Sequence, residues 1–229
     1  MTQKQLYILG AALAVLVIAV AAYFLRPTSA PTPAQASLPP ESISASDRTM
    51  GSPSAKVTLI EYGALTCPHC AAFNENVFPL LKEKYIDTGK VYYVFRLFPI
   101  NMADPWAEKI ARCLPADNYF QFVDLLFRNQ DKWGPEQNFN PATQTVDNNA
   151  VHQGLIQMAR IAGMGADKVD QCINDKKDDE RINKVAQDGM ARYKIEGTPT
   201  LIVNGVSQGA RVPSWEELQK VLDEALAKK

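Results

Sequence analysis

Apolar stretches and short polar breaks alternate along the chain in an order that predicts most of its elements. Leu6 to Leu25 is a run of apolar and small residues without a charge, long enough at 1.5 Å per residue to match a hydrocarbon layer about 30 Å thick. From Arg26 to about Ser46 the chain carries Pro27, Pro31, Pro33, Pro39 and Pro40 among Ala, Ser and Thr. Such a stretch has no face to bury and predicts a semi-extended spacer. Val57 to Tyr62 is β-branched, apolar and short, as a buried strand is. Phe73, Val77, Leu80, Leu81 and Tyr85 then recur at helical spacing, with Pro79 kinking or restarting the helix. Val91 to Phe98 predicts a second strand, so the unit is strand–helix–strand.

After Pro99 the period changes. Asp104-Pro105 predicts a helix start, with Asp104 as cap and Pro105 in the first turn, reaching about Leu114. Pro115 opens another, with Phe120, Val123, Leu126 and Phe127 on one face. Further helices are predicted near Asn149–Ala162, Ala166–Lys176 and Asp179–Tyr193. Strand character returns at Thr198 to Val203, and Asn204-Gly205 is a strong hairpin turn into a return strand, Val206 to Gly209. Ser214 caps a last amphipathic helix carrying Trp215, Leu218, Val221, Leu222 and Leu226. The predicted order is β-α-β, a helical insert, then β-β-α. That gives an N-terminal membrane or signal helix over 1–25, a linker over 26–46, and two parts of one small sheet (47–101 and 194–229) around an all-helical insertion (102–193).

Composition narrows the function. With 46% apolar and 21% charged residues the chain builds an ordinary core. A net charge of −1 offers no basic footprint for nucleic acid. The N-terminal run is longer than the usual signal-peptide core, which favours an uncleaved anchor. Ala34-Gln35-Ala36 resembles a cleavage site, so a removed signal stays open. Either way the bulk of the chain is exported.

The four cysteines carry the candidate chemistry. Cys67-Pro68-His69-Cys70 lies directly after a buried strand and at the start of a helix, the setting of a thioredoxin-like redox site. Pro68 suits the first helical turn, where its missing N–H is not needed. Backbone N–H groups of that turn and the helix dipole favour a thiolate at Cys67, and His69 can add a donor or a positive charge. Cys67 is expected as the exposed nucleophile and Cys70 as its buried resolving partner. A thiolate stabilised only in the dithiol makes the disulfide easier to reduce, so the couple is expected to be an oxidant. No second CxxC or paired His accompanies the motif, which argues against structural zinc. No metal or separate cofactor is expected beyond the Cys67–Cys70 disulfide itself.

Thr66-Cys67-Pro68-His69-Cys70, the strand holding Glu61 six residues earlier, the helical insertion and Gly197-Thr198-Pro199 together resemble the DsbA family of periplasmic disulfide oxidoreductases, over about Asp47 to Lys229. The resemblance implies a thioredoxin-like fold and introduction of disulfides into exported proteins on the periplasmic side of a bacterial inner membrane. It implies a cis-proline at Pro199, with the Thr198 backbone free to bond an extended substrate, and a buried acid at Glu61 that moves protons to or from Cys70. The alternation also permits Glu61 to face solvent, and Arg96 on the next strand is a candidate partner for it. Cys113 and Cys172 are candidates for a second disulfide, as in relatives with extra cysteines, or remain two buried thiols. Expected partners are reduced or unfolded exported proteins, a membrane oxidase that reloads the motif, and the membrane through the N-terminal helix. The proline spacer suggests a monomer. A disulfide isomerase or reductase is the near alternative, and a chaperone-like or metal-holding module the distant one.

Overall fold

A computed structural model describes residues 42–228 of the chain. The predicted N-terminal helix and most of the proline linker lie outside the described residues. Among those described, no helix is long and apolar enough to cross a membrane.

Among the described residues, seven strands and nine α-helices follow in chain order: β1 Arg48–Met50, β2 Val57–Gly63, α1 Pro68–Asn76, α2 Phe78–Leu81 running on into a π-helical turn Lys82–Ile86, and β3 Val91–Leu97. The insertion holds α3 Ala103–Cys113, α4 Tyr119–Arg128, α5 Gln130–Trp133, β4 Phe139–Asn140, β5 Thr145–Val146, α6 Asn148–Ile161, α7 Ala166–Ile173 and α8 Lys176–Tyr193. β6 Thr200–Val203, β7 Val206–Ala210 and α9 Trp215–Ala227 complete the chain. The main sheet has the order β1-β3-β2-β6-β7. Its β2–β3 pair is parallel, and β1–β3, β2–β6 and β6–β7 are antiparallel.

Local signals account for most boundaries. Val77 joins α1 to α2 ahead of Pro79, the break that proline imposes on a helix. Asn204 and Gly205 both have positive φ, 47° and 82°, as a two-residue hairpin turn requires. Ser214 and Glu217 form a reciprocal capping box on α9.

Three features differ from the sequence expectation. β1 adds an edge strand that three residues are too few to announce. The insertion is not wholly helical, since β4 and β5 pair within it. Asp104 is not a helix cap: α3 begins one residue earlier, at Ala103, and the fully buried Asp104 side chain turns outward from its helix to bond other segments.

The central strand β2 is covered on both faces. Leu59, Phe95, Leu97 and Leu201 belong to the larger core with Phe73 of α1, Phe127 of α4 and Leu222 of α9. Ile60, Tyr62, Val94 and Ile202 form a second core with Tyr193 and Ile195 on the opposite face. Gly189 lets α8 lie against this face, because a Cβ there would stand 2.5 Å from the Tyr62 ring. Glu61 is opposite Phe95 and Leu201 in the register, whereas Arg96 is opposite Tyr62. Since side chains alternate between faces, Arg96 and Glu61 are on different sides of the sheet. Arg96 instead pairs with Asp47 at 2.8 Å and donates to the Tyr62 hydroxyl, which corrects the suggested Arg96–Glu61 pair.

Candidate active site

The Cys-Pro-His-Cys tetrapeptide forms the tip of α1. Cys67 is its N-cap residue in extended backbone and Pro68 takes the first turn. Pro68 and His69 are exposed, and Cys70 is fully buried. Cys67 is only 5% exposed, not the open nucleophile expected, because the Thr198 carbonyl oxygen lies 3.3 Å from its Sγ. The Thr198–Pro199 peptide bond is cis. The two sulfurs are unbonded, so the site is held as the dithiol.

The two thiols are driven apart electrostatically. Cys67 is lowered to about 5, chiefly because the Cys70 thiol donates to its sulfur; burial opposes this, and Thr198 and the backbone N–H groups of Cys70 and His69 add to it. The expected helix-tip amides therefore contribute, but the neighbouring thiol contributes most. Cys70 is raised well above its ordinary value by burial, by the hydrogen bond it gives Cys67 and by the negative charge of Glu61. One sulfur is thus a thiolate at neutral pH and the other holds its proton.

Glu61 is 2% exposed on the face that carries the larger core, so the solvent-facing alternative does not hold. The Tyr93 hydroxyl donates to its Oε2 at 2.6 Å. Burial raises the carboxyl to about 7, against the Tyr93 bond, with a further push from the Cys67 charge. A cavity of about 310 Å³ lies beside it, bordered by Glu61 and Tyr93 and by Phe78, Phe120 and Phe127.

Asn101 and two residues of the insertion, Asp104 and Gln130, fasten the loop that carries Cys67, a role the sequence did not suggest for any of them. The Thr66 N–H donates to Asp104 Oδ1 at 2.8 Å, while Oδ2 accepts from the N–H groups of Ile100 and Asn101 at 2.9 and 3.2 Å. Asn101 Nδ2 donates to the Thr66 hydroxyl. Gln130 Nε2 donates to the carbonyls of Leu65 and Cys67 at 2.8 and 3.1 Å. Burial raises Asp104 despite these backbone donors. Asp-Pro looks like a helix cap in sequence, so only the tertiary contact exposes this role.

Cys113 and Cys172 are joined by a disulfide that links the end of α3 to α7, 59 residues apart in sequence. His152 bonds Asp170 and meets Trp106 edge-on.

Known proteins resemble this chain in sequence and fold. A family model described as Thioredoxin matches residues 44–224. A Rickettsia felis protein provisionally named a protein-disulfide oxidoreductase is 33% identical over 181 residues, 79% of this chain and 60% of its own length. The chain thus spans about 60% of the length of the first curated relatives it matches. The crystal structure of Wolbachia pipientis α-DsbA1 superposes with a TM-score of 0.69 at 30% identity, covering 80% of this chain and 92% of that one. A protein-disulfide isomerase from Novosphingobium aromaticivorans, at 23% identity and a TM-score of 0.70 over 80% and 98% of the two chains, shares the fold. With a family model over most of the described residues and a solved relative covered almost end to end, the chain belongs to the DsbA family of thioredoxin-fold proteins.

Proposed function

We propose that this protein is a thiol–disulfide oxidoreductase that works as an oxidant, introducing disulfides into exported proteins through Cys67 and Cys70. The observation that carries the reading is the separation of the two thiols, with Cys67 lowered to about 5 and Cys70 raised. In the disulfide form a substrate thiolate attacks Cys67 Sγ, the Cys67–Cys70 bond breaks, and the electron pair leaves on Cys70. Glu61, poised near neutrality, supplies the proton that Cys70 then holds, and the cavity beside it has room for water to carry the exchange onward. A second substrate thiolate attacks the substrate sulfur of the mixed disulfide and releases Cys67 as a stable thiolate.

The low value at Cys67 favours release over retention, which supports oxidation rather than reduction. Lowering one thiol by each pK unit shifts the couple by roughly 30 mV toward oxidant. The Thr198 backbone beside Cys67 is the place for a substrate strand to bond. Export to the periplasmic side, retention by an uncleaved N-terminal helix, a membrane oxidase that restores the disulfide and a monomeric state complete the proposal. The test is equilibration with glutathione redox buffers. A potential well above about −270 mV supports an oxidant, while a value near that figure makes the protein a reductant. In the same assay format Cys67→Ser is expected to lose oxidation of a reduced peptide on the order of a thousandfold or more.

A further inference from the structure

The Cys113–Cys172 disulfide differs from a cross-link sealed in a core. Cys172 is buried at 2%, but Cys113 is exposed at the end of α3. Both cysteines border a cavity of about 300 Å³. Five cations line that cavity: Arg48, Lys109, Arg112, Lys177 and Arg181.

The acidic groups around it are largely engaged. Asp178 pairs with Arg181, and Asp175 caps α8 by accepting the Lys177 N–H. Behind the lining, Glu108 binds Arg112 and Arg181 and accepts from the Tyr119 hydroxyl. Asp179 pairs with Lys109. Among the described residues, Lys177 and Arg48 have no carboxylate partner, and the buried Nε of Arg48 has no hydrogen-bond partner at all. The Arg48 guanidinium lies over the Tyr119 ring, 5.4 Å from its centroid. Five cations against two carboxylates, Asp175 and Asp178, on a lining that includes both cysteines favour an anion.

We propose that this cavity is a second thiol-exchange site, specific for small anionic thiols. The bound thiolate attacks Cys113 Sγ and forms a mixed disulfide there. The Cys113–Cys172 bond breaks, and the electron pair leaves on Cys172 Sγ, which takes a proton from solvent. The reaction is an exchange, with no net oxidant required. The cations hold the anionic end of the thiol and shield the charge of the attacking sulfur. The direction of attack follows from access, since Cys113 is the exposed residue of the pair and Cys172 is buried. This reading is independent of the chemistry assigned to Cys67 and Cys70.

The test uses the full chain carrying Cys67→Ser and Cys70→Ser, so that Cys113–Cys172 is the disulfide that reports. Mixed-disulfide formation is followed by intact mass with 2-mercaptoethanesulfonate, 2-mercaptoethanol and cysteamine, each rate divided by the thiolate concentration. Peptide mapping locates the adduct. The sulfonate is expected to react about fivefold faster than mercaptoethanol, with cysteamine slowest. Lys177→Gln, an exposed position, should lower that preference by about half, and 1 M salt should bring it close to one. Should the double serine chain fail to fold, the same series on the unaltered chain, mapped at Cys113, gives the same ratio. Equal rates for the three thiols, an adduct on Cys172, or no adduct on the second pair would overturn the proposal.

Discussion

The two cysteine pairs of this molecule make opposite use of burial. Cys67 and Cys70 are both nearly inaccessible and unbonded, whereas the second pair is bonded and has Cys113 in solvent. Exposure therefore does not identify the pair with the strongly polarised chemistry. What separates them is the surroundings: the first pair has a helix tip, a donor thiol and an acid near neutrality, and the second spans two helices of the insertion. The lesson is that a thiol is tuned by which protonation state its neighbours stabilise, and only then gated by access.

Removing the second pair should separate stability from reactivity. Cys113→Ala with Cys172→Ala is expected to lower unfolding free energy by about 2–4 kcal/mol under oxidising conditions. The thiolate titration of Cys67 should stay within about half a pH unit, since no group of the second pair contributes to it. A large movement of that titration would erase the contrast between the pairs.

Glu61 gives the next largest effect, and it depends on pH. Its carboxyl is raised to about 7 from an ordinary 4.5, so the fold favours the protonated acid. The stability this provides is complete below about pH 4.5 and is lost as pH rises through 7. Glu61→Gln in the dithiol form should match the parent at pH 4.5 and exceed it by about 1–3 kcal/mol at pH 8. Denaturant unfolding at the two pH values checks this, and an equal difference at both would remove the acid from the coupled site.

Much of this site was legible from short-range pattern. A β-branched run, a proline in the first helical turn and an Asn-Gly hairpin each act through neighbouring residues, so the sequence discloses them. The face of Glu61 was not legible, because both Ile60 and Tyr62 are buried as well and a strand covered on both sides shows no alternation. The Arg96 partner depends on the strand register, which places it beside Tyr62 on the far face. Asp104 was misread because an aspartate before proline is a good cap locally, whereas its actual donors include Thr66, 38 residues away.

That missed residue supplies the smallest of the graded effects. Asp104→Asn replaces an accepting oxygen by an amide nitrogen, so at least one of the three backbone donors loses its partner. The expected loss is about 1–2 kcal/mol of stability. As a positioning residue it should also raise the Cys67 titration by a few tenths of a pH unit, because the loop bearing Cys67 is then held less firmly against Cys70. A loss of stability with an unmoved titration would leave Asp104 with a structural role alone.

The central claim is that Cys67 is a thiolate because Cys70 hands it a hydrogen bond at the tip of α1. The most direct measurement is ultraviolet titration of the thiolate band in the reduced protein, run beside Cys70→Ala. A midpoint near 5 in the parent, rising by at least one unit in the variant, is the predicted result. A parent midpoint close to the free-cysteine value of about 8.5, or a variant that titrates as the parent does, would contradict it.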